Sequence, residues 1–130
     1  MKDLLYGLLL PSGDDAAIAI ADGVSGSESA FVDRMNQKAH DLFLNNTHFV
    51  NPHGLDVDRS LHDGNETTAL DLIRLTQSAM KLSLFRLIVG TAQYVIPETA
   101  THGELVLNTT NEFLSKSFSL RGNDFTRLGE

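Results

Sequence analysis

A chain of 130 residues is long enough for one domain or for a piece of one. Its formal net charge of −7 argues against a nucleic-acid or anionic-membrane partner, because both require clustered lysine and arginine. The absence of cysteine excludes disulfides and thiolate metal sites, and an apolar fraction of 42% is sufficient for a packed core.

The first predicted element is a helix from Asp3 to Leu10, which is nearly continuously apolar and is therefore expected to be buried. Pro11 ends this helix. A lysine and an apolar run resemble a signal peptide, but the run is short, an acid precedes it at Asp3, and no small-residue cleavage site follows. We therefore interpret the segment as a mature helix without signal or anchor, and nothing else reaches transmembrane length.

A second helix is predicted from Asp14 to Ala21, with Ser12 as its N-cap. Asp14 and Asp15 suit the positive end of the helix dipole. The glycine- and serine-rich segment Asp22–Ser27 is expected to form a turn. Two acids between two apolar segments are thus explained by a helix start.

A third helix is predicted from Glu28 to Phe43 and is followed by a long polar loop over Leu44–Glu66. Its apolar residues recur at helical spacing and form one core stripe of Phe31, Val32, Met35, Ala39 and Leu42. A fourth helix, capped by Thr67 or Thr68, is predicted to end near Lys81. The residues expected to face inward are Leu72, Ile73, Thr76, Ala79 and Met80.

The pattern changes towards the C-terminus, where a short helical turn precedes two strand-like segments, Thr91–Pro97 and Gly103–Asn108. The chain divides into a helical subdomain (1–90), a strand pair (91–116) and a weakly ordered tail (117–130). The predicted fold class is mainly α with a small β portion. Because two strands alone are marginally stable, the pair is expected to belong to a larger sheet or to pair with a second copy of the chain.

Residues 3–22 (DLLYGLLLPSGDDAAIAIAD) and 35–56 (MNQKAHDLFLNNTHFVNPHGLD) carry a resemblance that continues in order through 67–81, 85–99 and 108–114. These segments resemble the penicillin-binding serine D-alanyl-D-alanine carboxypeptidases, and the first of them resembles the second active-site motif of that family. The resemblance implies the helical subdomain of the β-lactamase/DD-peptidase-like α/β fold, with one or two strands of its sheet.

This family uses three motifs: Ser-x-x-Lys for the nucleophile and its activating lysine, Ser-x-Asn on a loop between helices, and Lys-Thr-Gly on an edge strand. Only the second has a counterpart here, in Ser12, Gly13 and Asp14. The first would lie upstream of Met1, and residues 115–130 contain no Lys-Thr-Gly. The resemblance implies that Ser12 relays a proton, a role compatible with the simpler interpretation of Ser12 as an N-cap.

Asp14 departs from the family pattern, because it stands where the family has an asparagine that contacts the substrate. A carboxamide can donate a hydrogen bond to a substrate carbonyl and accept one from a lysine, whereas a carboxylate can only accept. We therefore expect impaired substrate positioning even in a completed site.

Two other patterns are less specific. Ser78 and Lys81 form a Ser-x-x-Lys in the last turn of a predicted helix, where the helix field disfavours an anionic nucleophile, so no nucleophile is assigned in this chain. The spacing of the histidines fits no standard metal motif, and the family needs neither metal nor cofactor. The resemblance places two of them in a loop beside the active site. The histidines concerned are His40, His48, His53 and His62, of which His48 and His53 belong to that loop.

The sequence thus predicts part of a serine D-alanyl-D-alanine carboxypeptidase. The resemblance implies an extracytoplasmic enzyme that acts on peptidoglycan stem peptides through an acyl-serine intermediate and is acylated by β-lactams. Whether this chain is itself an enzyme stays open, and alone we expect it to be inactive. The alternative is a non-catalytic helical module that forms a homodimer through its unpaired strands. A third hypothesis is zinc binding by the histidine loop.

Overall fold

The computed structural model describes residues 1–56 and 64–114. In these residues it contains five helices and two strands: α1 (Lys2–Leu9), α2 (Asp14–Ser25), α3 (Glu28–Asp41), α4 (Ala69–Ala79), α5 (Ser83–Val89), β1 (Gln93–Ile96) and β2 (Leu105–Asn108). The predicted fold class, mainly α with a small β portion, is confirmed. No helix in the described ranges is long and apolar enough to cross a membrane. The tail predicted over 117–130 lies outside them.

The start of α2 differs from the prediction, because its N-cap is Gly13 and not Ser12. Ser12 has a φ of 60°, in the left-handed region, whereas an N-cap residue is normally extended. Gly13, at φ −73° and ψ 109°, has the extended conformation that the cap position requires. No side chain caps this helix, although Asp15 accepts a hydrogen bond from the Ala16 amide at 2.8 Å.

The turn predicted over Asp22–Ser27 is also largely wrong, because α2 continues through Ser25. The helix tolerates Gly23, and the left-handed residue that ends it is Gly26, with a φ of 81°. Ser27 then caps α3 by accepting a hydrogen bond from the Ala30 amide. The two helices follow one another with a single residue in left-handed conformation between them, and they pack together.

The long loop after α3 is fixed by side chains of the neighbouring helices. Asn36 on α3 brackets the backbone of Phe49, donating to its carbonyl and accepting from its amide at 2.8 Å each. At the other side, the buried Asp71 carboxylate on α4 accepts from the Asn46 amide at 2.9 Å and from the Thr47 hydroxyl at 3.2 Å. The Asp71 side chain thus ties the loop to α4.

Helix α4 presents its apolar face to the outside. Thr68 caps it, as one of the two predicted caps, by accepting from the Asp71 amide. The predicted inward orientation is wrong for Leu72, Ile73 and Met80, whose exposed fractions are 51%, 55% and 42%. It is wrong for Thr76 as well, which is also exposed. Leu72 and Ile73 line an open groove of about 400 Å³ on this face. The other lining residues are Ala69, Thr76 and Gln77. Helical periodicity reveals an apolar face but does not reveal whether another element covers it.

One buried cluster lies where the C-terminal hairpin and α5 pack on α1, and further buried residues lie on α2, including Ala17 and Ala21. Strands β1 and β2 pair antiparallel, with Gln93 opposite Asn108 and Ile96 opposite Leu105. The packed cluster consists of Tyr6, Leu10 and Ile88, with Leu5, Leu9, Tyr94 and Leu107 against it. The prediction that α1 is buried holds for Tyr6 and Leu10 on one face, while the start of the helix is exposed.

Candidate active-site corner

The residues predicted to carry chemistry lie at the tight connection between α1 and α2, which we call the corner (residues 10–14). Leu10 is buried at its start, and Ser12 is exposed at its tip. Ser12 is one of two non-glycine residues with positive φ in the described ranges. Such a conformation costs a residue with a Cβ about 1–2 kcal/mol. Ser12 is therefore exposed to solvent in a left-handed backbone conformation that its residue type does not predict.

The corner is fixed by backbone hydrogen bonds on both sides of Ser12. The Gly13 amide donates to the Gly7 carbonyl of α1 at 3.0 Å. On the other side, the Thr110 amide donates to the Leu10 carbonyl at 3.0 Å. The segment that follows β2 thus reaches the corner directly. The contact could not be predicted from the sequence, because no local pattern links residues so far apart in the chain.

Asp14 is the first residue of α2 and is half-buried, whereas Asp15 beside it is exposed. The unpaired amides at a helix start favour negative charge, so both carboxylates suit this position. Ser12 and Asp14 flank the Gly13 cap, so the structure places both at the N-terminal end of α2.

His48 and His53 lie in the loop between α3 and α4, where their hydrogen bonds organise the loop itself. The His48 backbone exchanges two hydrogen bonds with Glu66, both of 2.8 Å. The His53 ring accepts from the Leu55 amide at 3.2 Å. The loop is fixed to α3, so these histidines belong to a different connection from the one that carries Ser12.

The same loop contains a buried asparagine, Asn51, whose role no sequence motif indicated. The Asn51 side chain accepts from the Gly54 amide at 2.6 Å and donates to the Leu55 carbonyl at 2.7 Å. Gly54, at φ 86°, supplies the left-handed turn that allows this. Asn65 completes the arrangement by accepting from the Val50 amide at 2.7 Å. The signal available in the sequence was the asparagine-rich composition of the loop.

The remaining candidates lie away from the corner. Ser78 is in the last turn of α4, and Lys81 lies beyond the end of that helix. Within residues 1–56 and 64–114, no three His, Asp or Glu side chains are grouped so as to hold a metal ion, and His62 lies outside those ranges. The pKa of Tyr94 is raised because its hydroxyl donates a hydrogen bond to the Asp3 carboxylate, at the far end of α1.

The sequence of the chain is similar to those of known proteins. A family model described as D-alanyl-D-alanine carboxypeptidase matches residues 1–120. DacF of Bacillus subtilis, named D-alanyl-D-alanine carboxypeptidase, is 34% identical over 109 residues, which are 84% of this chain and 27% of the relative. The enzyme of the same name from Streptomyces strain K15 is 40% identical over 111 residues, which are 81% of this chain and 36% of the relative.

Solved structures of proteins with related names are also similar to this chain. A putative penicillin-binding protein homologue from Mycobacterium tuberculosis superimposes with a TM-score of 0.76 at 34% identity, over 87% of this chain and 41% of the other. A mutant of the Streptomyces K15 DD-transpeptidase gives a TM-score of 0.74 at 36% identity, over 89% of this chain and 46% of the other. The chain thus spans less than half the length of these relatives.

Proposed function

Since the chain belongs to the D-alanyl-D-alanine carboxypeptidase family, we propose that it forms the helical part of a serine enzyme of that family and contributes one of the three motifs of its site. The observation that carries this proposal is the corner, where Ser12 stands exposed between two helices and Asp14 begins the second. The family match covers this corner and the loop with His48 and His53. We assign that loop to the border of the site.

In the complete enzyme, the role of Ser12 is to relay a proton. A hydroxyl both donates and accepts, so it can receive a proton from an activating lysine and pass it to the leaving D-alanine amine. The reaction proceeds through an acyl-serine formed on a nucleophile outside the Ser12 motif. Its substrate is the D-Ala-D-Ala end of a peptidoglycan stem peptide, and a β-lactam acylates the same serine. This substrate lies outside the cytoplasmic membrane, and we propose that location for the enzyme.

We further propose that residues 1–90 form the helical subdomain and that 91–116 form the strand pair. The end of α5 at Val89 and the start of β1 at Gln93 support a boundary between them. The only Ser-x-x-Lys of this chain is the one at Ser78, in an unsuitable helix turn. The 130 residues alone are therefore proposed to be inactive.

Labelling with a fluorescent penicillin tests this inactivity. The purified chain should take up no covalent label, while a full-length relative treated in parallel should be labelled. A Ser78→Ala variant serves as the matched control, since label that persists in it does not come from Ser78. Covalent labelling of the chain would contradict the proposal that it lacks a nucleophile.

The role of Asp14 is tested in a full-length relative, by comparing asparagine with aspartate at the aligned position. Because a carboxylate offers no donor to the substrate carbonyl, we expect β-lactam acylation to fall roughly 10²-fold with aspartate, as for the loss of one site donor in other enzymes. Replacing the aligned serine by alanine should also slow acylation. Equal acylation rates for asparagine and aspartate would rule out the assigned role.

A second candidate function is self-association as a non-catalytic module, with a homodimer formed through the strands. It is favoured by the exposure of Val95, Leu105 and Val106, at 41%, 47% and 47%. The described sheet has two strands, so each strand has an outer edge that can pair with another chain. Light scattering coupled to size-exclusion chromatography tests it: a dimer that Val106→Lys converts to monomer supports strand pairing, and a monomeric native chain contradicts it.

A further inference from the structure

Ser12 and Gly13 occupy backbone conformations that would suit the reverse order of residues. Ser12, at φ 60°, lies in the left-handed region that glycine adopts without cost. Gly13, at φ −73° and ψ 109°, has an extended backbone conformation that is allowed for every residue type. The glycine at position 13 therefore needs an explanation other than its dihedral angles.

Close approach of two backbones supplies that explanation. The Gly13 amide donates to the Gly7 carbonyl at 3.0 Å, and a Cβ added at Gly13 would lie 2.8 Å from that same oxygen. It would also lie 3.1 Å from an Asp15 carboxylate oxygen. A side chain could rotate away, but the Gly7 oxygen belongs to the backbone of α1. A Cβ added at Gly7 itself would meet the Ala16 Cβ at an ordinary 3.6 Å, so the tight contact is specific to position 13.

We propose that Gly13 is a positioning residue for Ser12. Its hydrogen bond to Gly7 fixes the peptide that follows Ser12, while the bond from Thr110 to Leu10 holds the chain on the other side. Between these two anchors Ser12 is kept in its left-handed conformation, in which it is exposed and does not cap α2. The use of this conformation for a proton relay rests on the proposed function, whereas the effect of Gly13 on the backbone of Ser12 does not.

Amide hydrogen exchange in the unmodified chain provides the first test. Amides at a helix start normally lack partners and exchange quickly. Because the Gly13 amide is bonded to Gly7, it should exchange at least tenfold more slowly than the Asp14 amide after correction for intrinsic rates. Equal exchange at Gly13 and Asp14 would overturn the proposal.

Substitution provides the second test, read by NMR as the intraresidue amide–Hα cross-peak of Ser12, which is strong when φ is positive. Gly13→Ala should weaken this cross-peak. Gly23→Ala is the matched control, because a Cβ there meets nothing within 4 Å, and it should leave Ser12 unchanged. Where Gly13→Ala fails to fold, a backbone ester at position 13 removes the amide without adding a Cβ and should have the same effect.

A Ser12 cross-peak of full strength in the folded Gly13→Ala variant, or in the ester, would overturn the proposal. These measurements report conformation alone. The proposed function fails independently, if replacing the serine aligned with Ser12 in a full-length relative leaves acylation unchanged. The two failures are therefore distinguishable.

Discussion

Ser12 is the residue at which backbone conformation and the proposed proton-relay role make opposite demands. Its left-handed backbone would be less strained with glycine, yet a glycine would remove the hydroxyl. Sparsely populated backbone conformations of this kind cluster at functional sites, where the surrounding structure enforces them. The two hydrogen bonds that flank Ser12 are that surrounding structure.

Ser12→Gly should therefore stabilise the fold slightly. Relief of the left-handed backbone is worth about 1–2 kcal/mol, and the greater freedom of glycine in the unfolded chain offsets about 0.5–1 kcal/mol of it. Urea denaturation should show the free energy of unfolding raised by up to about 1.5 kcal/mol. Ala19→Gly, on the exposed side of α2, is the control and should lower it by about 1 kcal/mol. A loss at Ser12 as large as at Ala19 would contradict this.

Residue types were sufficient to find the motif of Ser12, Gly13 and Asp14, but not to assign the cap. Serine is a preferred N-cap because of its local hydrogen bonding, and nothing local competes with that preference. The competitor is the bond from Gly13 to Gly7, which depends on how α1 and α2 pack. The burial of Asp71 against the loop likewise depends on packing, which no local sequence pattern shows.

At the level of elements, α4 and α5 differ in what their apolar residues touch. Ile73 on α4 is 55% exposed, whereas Ile88 on α5 is 1% exposed and packs against α1. Both belong to apolar helical patterns in the sequence. Spacing predicted the helices, but a partner surface is needed to decide which of their faces becomes core.

The same substitution at both positions measures this difference. Ile88→Ala should cost about 2–5 kcal/mol, because it leaves a cavity in the core. Ile73→Ala should change the free energy of unfolding by less than about 0.5 kcal/mol, as for exposed positions generally. Chemical denaturation of the two variants provides the comparison. Similar losses at both positions would mean that the α4 face is covered in solution.

The link between α1 and β1 is sensitive to alkaline pH. Tyr94 donates to the Asp3 carboxylate at 2.8 Å, so the fold favours the protonated phenol and raises the pKa of Tyr94 above its ordinary 10.0. The stabilisation is fully present below the ordinary pKa and is lost as the pH rises through the raised one.

Ultraviolet absorbance can follow this titration, because the chain has two tyrosines and no tryptophan. In a Tyr6→Phe variant the signal comes from Tyr94 alone, and its midpoint should lie above 10.0. Adding Asp3→Asn removes the carboxylate charge and should move the midpoint down. A midpoint that Asp3→Asn leaves in place would contradict the assigned cause.

At the level of the whole molecule, charge opposes the association that exposed apolar surface favours. The formal net charge is −7 at pH 7, and the isoelectric point is about 5.1. Apolar side chains are exposed on α4 and on both strands. Mutual repulsion between like-charged copies thus helps to keep the chains apart at neutral pH.

Lowering the pH towards 5.1 should therefore promote association at constant protein concentration. Static light scattering across this range should show the apparent mass rising as the charge falls. Added salt at pH 7 should act in the same direction by screening the repulsion. An apparent mass that is independent of both pH and salt would contradict this balance.

Family membership was predictable from ordered segments that span most of the chain, and the family model confirms it. The pairing of the two strand-like segments was predictable from their pattern. Their packing on α1 was not, because it depends on contacts such as that of Tyr94 with Tyr6, whose ring centroids are 3.6 Å apart.

That packing sets an order of events during protein synthesis. Asp3 and its partner Tyr94 are 91 positions apart in the chain. Because a ribosome adds about 5–20 residues per second, roughly 5–18 s pass between the synthesis of Asp3 in α1 and that of Tyr94 in the hairpin. During this interval Tyr6 and Leu10 present apolar surface without their final neighbours. The nascent chain thus passes through a stage in which chaperones can recognise this exposed apolar surface, before the hairpin that covers it has been synthesised.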